Sequence, residues 1–131
     1  MSNKTVAEKL QIKPGDAVYI TGVPDAAALV GELPANCRVT DRASEAAVAI
    51  FFAIDSTALD AHIDGTFGTL EATRAVWICY PKGNKADINR DTIWHRVRES
   101  GWDLVTNVAV NDVWSALRAK PLSEPDVDSQ F

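Results

Sequence analysis

Only two cysteines occur in the 131 residues, Cys37 and Cys79, far apart and each within an apolar stretch. Neither belongs to a C-x-x-C pattern, so redox and zinc-ribbon chemistry find no framework. Two packed, reduced thiols are expected, with a disulfide between them as the alternative. The two histidines, His62 and His95, form no H-x-x-x-H or H-x-H pair, and no carboxylate or cysteine joins them at ligand spacing. A metal centre is therefore not expected, and both read as solvent-facing helix residues. No G-x-S-x-G elbow places a serine on a strained turn, which removes the signature of a hydrolase nucleophile. No catalytic residue is assigned.

Long apolar runs are missing too. The longest covers residues 46–54, about half of what a membrane-spanning helix needs. Met1-Ser2-Asn3-Lys4-Thr5 is polar, without the apolar core or cleavage site of a secretory signal. A cytoplasmic location is the expectation, with no membrane partner. Positive charge is in short supply: 13 Lys and Arg stand against 18 Asp and Glu, a formal charge of −5. That balance disfavours nonspecific attraction to nucleic acid or to an anionic membrane.

What is present is a core. Hydrophobic residues make up 47% of the chain, enough for one continuous interior in a single domain. Thr5-Val6-Ala7-Glu8 has capping-box spacing and starts a short helix, which Lys13-Pro14-Gly15-Asp16 must end. Residues 17–21 form the first strand, and Gly22-Val23-Pro24 ends it. Asp25 is placed to cap an Ala-rich helix running towards Gly31. Residues 37–40 are a short second strand.

Residues 47–54 and 75–80 differ from ordinary strands in being apolar at every position. Strands of that kind need burial on both faces, which a parallel sheet covered by helices provides. They should be adjacent, parallel and central. Between them Asp55 or Ser56 caps a helix whose inner stripe is Leu59, Ile63, Phe67 and Leu70, with Gly65 and Gly68 marking a kink or break. Asn89 or Asp91 opens another helix that turns Ile93, Trp94 and Val97 inward and ends at Gly101. Residues 103–110 and 113–117 then read as two strands joined by Asn111-Asp112, residues that tolerate the positive φ of a tight hairpin.

The alternation defines an α/β fold: a three-layer Rossmann-like sandwich of about six strands, mostly parallel, with an antiparallel strand in a C-terminal hairpin. Its expected strand order is second, first, third, fourth, sixth, fifth. The single domain spans residues 1–120. Residues 121–131, rich in proline and acids, read as a disordered tail.

Leu10, Ile12, Lys13, Pro14, Gly15, Asp16, Val18, Ile20 and Gly22 look like the approach to the first strand of S-adenosylmethionine-dependent methyltransferases. The closing hairpin resembles the end of that fold. More specifically, Lys13-Pro14-Gly15, Tyr80-Pro81-Lys82, Gly101 and the run Asp112-Val113-Trp114-Ser115-Ala116-Leu117-Arg118 resemble a family of small bacterial proteins that look like truncated, methyltransferase-like Rossmann domains. That family implies a fold and no established activity. Of the glycines by which methyltransferases bring backbone close to their cofactor, only Gly22 remains, followed by Val23 and by Pro24, which lacks an amide donor. Asp41 stands 19 residues after Gly22, where related nucleotide folds hold a ribose hydroxyl. It reads as an ordinary strand-end turn, with the ribose ligand as the alternative. No cofactor is assigned, and S-adenosylmethionine is kept as the alternative.

Ligands of open α/β sheets bind beyond the carboxyl ends of the strands, so that rim is the candidate site. Lys82, Gly83 and Lys85, with Arg90 at the start of the next helix, could hold a small anion through ammonium groups and loop amides. A solvated polar loop is the alternative. Gly22, Asp41 and Trp114, the last beside the hairpin turn, complete the candidate set. Trp77 and Trp94 read as packing residues. Two functions are expected to compete. One is a noncatalytic binding or interaction module for a small anionic or nucleotide-like ligand; the other is a reduced methyltransferase-like enzyme.

Overall fold

The computed structural model describes residues 5–70, 73–83 and 87–121. A first helix, α1 (Val6–Lys9), leads into β1 (Ala17–Thr21); α2 (Ala26–Val30) and β2 (Arg38–Val39) follow, then β3 (Val48–Phe52). The second half holds α3 (Ser56–Gly65), β4 (Ala75–Pro81), α4 (Arg90–Glu99), β5 (Trp102–Ala109) and β6 (Trp114–Pro121). The six strands form one sheet in the order β2-β1-β3-β4-β6-β5. β1 through β4 pair in parallel, and β6 runs antiparallel to both β4 and β5. The fold is thus the expected α/β sandwich.

Burial explains the order. All five residues of β3 are fully buried, and so are Ala75 to Cys79 in effect. β3 and β4 are adjacent, parallel and interior, because no position on either can face water. Phe51 and Ile78 point to one side, where Leu59 and Ile63 of α3 and Ile93 and Val97 of α4 cover them. Phe52 and Trp77 point to the other, under Ala7 and Leu10 of α1 and Ala26 and Val30 of α2. Burying a large apolar side chain contributes about 1.5–3 kcal/mol, so these two clusters dominate the stabilisation. Among the described residues no helix is long and apolar enough to cross a membrane.

Polar contacts tie the short leading segment to this core. The Trp77 indole N–H donates to the Leu10 carbonyl at 2.9 Å in a buried position. Asp16 accepts both Arg74 guanidinium nitrogens, at 3.1 and 2.6 Å, and the Lys13 amide at 2.7 Å, and Arg74 also donates to the Gln11 carbonyl. The Lys13-Pro14-Gly15-Asp16 break is therefore an anchored turn. The Thr5 capping box is present, with Thr5 Oγ1 accepting the Glu8 amide and Glu8 accepting the Thr5 amide.

Several expectations need correction. Asp25 occupies the start of α2, but its side chain makes no capping bond. The second strand shrinks to two exposed residues, since an edge strand beside β1 alone has no second partner to extend it. Asn111 and Asp112 do not adopt positive φ; instead Asn111 Oδ1 accepts the amides of Val113 and Trp114, both at 2.8 Å, so a side chain closes the hairpin. His62 is not solvent-facing: it is half-buried, its Nε2 lies 3.2 Å from the Phe52 carbonyl, and its ring packs on Phe51. Burial holds its pKa below the ordinary imidazole value. Cys37 and Cys79 are free, as expected. β6 runs through Pro121, so the strand takes the first residue of the supposed tail; 122–131 lie outside the described residues.

Two outcomes follow. The Arg74 guanidinium holds the Asp16 carboxyl below the usual carboxylate range, so Asp16 adds stability that is present above an unfolded pKa of about 3.9 and is lost as pH falls through the lower folded value. Urea titrations at stepped pH should show that loss below about pH 4, and Asp16→Asn should flatten this part of the profile. Gly22 has φ +117°, and a Cβ there would lie 1.9 Å from the Phe52 carbonyl oxygen. Gly22→Ala should therefore lower thermal stability by at least about 2 kcal/mol, combining backbone strain with a backbone clash.

Candidate functional site

The carboxyl ends of β1 to β4 share one rim of the sheet, and the turn between β5 and β6 joins them there. Pro81 pairs with Trp114, and the Lys82 amide donates to the Val113 carbonyl at 2.7 Å. The rim does not gather the candidate residues into one place. Gly22 is pressed against the Phe52 carbonyl, so its missing side chain serves the approach of β1 to β3. Asp41 lies on an open groove beside β2 with Tyr19, Thr21 and Arg38. Trp114 is half-buried and edge-on to Phe52, ring centroids 5.0 Å apart, on the α1–α2 face.

Lys82, Gly83 and Arg90 do converge. They line a cavity of about 470 Å³ on the α3–α4 side of the rim, between the end of β4 and the start of α4. Lys85 lies outside the described residues. Gly83 has φ +74°, the left-handed conformation that turns the chain sharply after the strand. The Lys82 ammonium makes no ion pair and the Gly83 N–H no hydrogen bond among the described residues. Asn89 caps α4: its Oδ1 accepts the Thr92 amide at 3.0 Å, and Thr92 Oγ1 accepts the Asn89 amide at 2.8 Å. The positive end of the helix dipole therefore borders the cavity. Arg90 and Asp91 follow the cap, with 3.9 Å between Arg90 Nε and Asp91 Oδ1.

The positive side chains described between residues 82 and 98 divide by use. Arg96 of α4 pairs with Asp60 and Asp64 of α3 at 2.6 and 2.9 Å. These two acids are thus helix-bridging partners. Arg98 reaches the buried Asp103 at 3.4 Å and lies over the Trp94 ring. Asp87 is committed to α3, accepting the Ser56 amide and hydroxyl at 2.8 and 2.7 Å, and these bonds hold its carboxyl below the usual range. Lys82 and Arg90 are the members that face the cavity.

Sequence reading missed the rest of the lining. Tyr80, Asn107 and Ser115 also border the cavity. Ser115 is 7% exposed, and its hydroxyl lies 2.7 Å from Asn107 Oδ1 and 3.2 Å from the Val108 carbonyl. A bulge brings Asn107 there: Leu104 pairs with Ala119 while Thr106 pairs with Arg118, leaving Val105 as an extra residue. Trp102 and Leu104 face the α3–α4 core, whereas Val108 and Val110 face the opposite one. One inserted residue reverses the alternation and carries Asn107 to the side of Ser115. Among the described residues no group of three or more His, Cys, Asp or Glu could hold a metal ion.

The strand order and register define a Rossmann-like α/β domain. A solved structure similar to it is that of the antibiotic-resistance methyltransferase Kmr, with 11% identity, a TM-score of 0.41, and coverage of 93% of this chain and 95% of that one. No protein-family model matches the chain, and no curated protein matches it.

Trp114 separates packing from binding. Its edge-on contact with Phe52 lies across the sheet from the cavity, so Trp114→Ala should lower stability by about 2 kcal/mol. A phosphate titration of the refolded variant should match the parent.

Proposed function

We propose that this domain is a noncatalytic binding module that takes a small anionic ligand at the end of β4. The observation that carries this reading is that Lys82 and Gly83 line one concave site while the Lys82 ammonium makes no ion pair and the Gly83 N–H no hydrogen bond among the described residues. Arg90 and the start of α4 add positive potential at its opposite wall. A cytoplasmic, small-molecule role fits the formal charge of −5, which disfavours nonspecific attraction to nucleic acid.

The competing reading, a reduced methyltransferase-like domain using S-adenosylmethionine, draws support from Asp41 on its groove at the β1–β2 ends. Against it stands Gly22. Its backbone is already packed on Phe52, and Val23 and Pro24 follow it in place of donor-rich glycines.

Calorimetric titration tests the first reading. Inorganic phosphate should bind the parent, the affinity should fall as salt rises, and Lys82→Ala should remove most of it while shifting stability by less than about 0.5 kcal/mol. Unchanged binding in Lys82→Ala would reject the site. A dissociation constant for S-adenosylmethionine tighter than about 10 μM, roughly −7 kcal/mol, would establish the competitor instead.

A further inference from the structure

We propose that the ligand of this cavity is a phosphorylated polyol: a small phosphate monoester whose carbon skeleton carries free hydroxyl groups. The inference rests on the anion-binding reading above and extends it to the remainder of the molecule bound. The cavity lining holds two chemically distinct sets of groups. Lys82 and the Gly83 N–H form one, suited to phosphate oxygens.

Tyr80, Asn107 and Asp91 form the other. Tyr80 is only 8% exposed, with its ring in the α3–α4 core. Its hydroxyl makes no hydrogen bond among the described residues, yet it is not among the fully enclosed unpaired polar atoms. A largely buried tyrosine that lines a cavity and whose hydroxyl has no partner among the described residues has hydrogen-bonding capacity left for a ligand. Asn107 uses its Oδ1 on Ser115, which leaves the amide hydrogens as donors to the cavity. The Asp91 carboxylate only accepts, so it suits hydroxyl donors, and Arg90 beside it at 3.9 Å offsets its charge.

A donor, an acceptor and an amphoteric hydroxyl together match the hydroxyls of a sugar, each of which gives and receives. Apart from Tyr80 no aromatic side chain lines the site among the described residues, so a nucleobase has no stacking platform. The volume of about 470 Å³ falls within the range of small-molecule sites.

Calorimetry with ribose 5-phosphate, inorganic phosphate, ribose and adenosine 5′-monophosphate provides the test. Ribose 5-phosphate should bind the parent at least about tenfold tighter than inorganic phosphate, and the nucleotide no tighter than ribose 5-phosphate. Tyr80→Phe keeps the packed ring, so its melting temperature should equal the parent's. It should weaken ribose 5-phosphate about three- to tenfold, the worth of one hydrogen bond, without changing inorganic phosphate binding. Asn107→Ala should act in the same direction.

If ribose 5-phosphate and inorganic phosphate bind the parent equally, or if Tyr80→Phe weakens neither, the polyol assignment falls while the anion site stands. A nucleotide bound more than tenfold tighter than ribose 5-phosphate also overturns it, in favour of base recognition. If neither phosphate binds, the anion-binding reading fails as well.

Discussion

Phe51 and Phe52 stand on opposite faces of one strand, and neither is exposed to any extent. The constraint this imposes organises the whole molecule. A strand that shows no side to water must have a helical layer above and below it and a neighbour along each edge. The chain supplies the layers in two halves, with α1 and α2 under Phe52 and α3 and α4 over Phe51. Strands with a wetter pattern are pushed outward: β2 has both residues exposed, and β5 carries half-buried and exposed residues in its second half.

The same strand decides where the rim is filled and where it stays open. At its end the Phe52 carbonyl is approached by Gly22, which follows β1, and by His62 of α3. Gly22, just where a nucleotide would meet backbone in related folds, is consequently taken up by packing against β3, while the open groove along Tyr19 to Thr21 lies towards β2. At the end of β4 the chain instead turns away through Gly83. β6 enters there in the opposite direction and α4 starts a few residues later, so a concave space is left between them.

Much of the fold was legible because hydrophobic pattern is a direct record of burial. Unbroken apolar runs located β3 and β4; Thr5 marked one helix start, and of the alternatives Asp55 or Ser56 and Asn89 or Asp91 the structure takes Asp55 and Asn89 as caps. Helix and strand ends depending on a third element were less readable. Asn111 looked like a positive-φ turn residue because its type favours that conformation, yet its side chain closes the turn by accepting two amides. His62 looked exposed because nothing local indicates that its ring folds back over the end of β3. Of the candidate residues named from charge and loop chemistry, Lys82, Gly83 and Arg90 line one cavity, and Lys85 lies outside the described residues. Gly22, Asp41 and Trp114 were grouped with them only because all lie near strand ends, and the sheet separates them in space.

Tyr80, Asn107 and Ser115 could not have been found by that route, and the reason is geometric. Tyr80 is the last full member of an apolar run and reads as core, which its ring is. Counting by twos from Leu104 puts Asn107 opposite the α3–α4 layer, away from the cavity. Val105 breaks the count: it is unpaired between Leu104 and Thr106, and every later side chain of β5 changes face. The bulge turns Val108 and Val110 towards the α1–α2 core and, by the same step, places Asn107 against the Ser115 hydroxyl. Apolar burial on one face and a polar wall on the other are thus two consequences of a single extra residue. The polar lining from the hairpin is built by the hairpin's packing needs, while Lys82 and Gly83 come from the loop after β4.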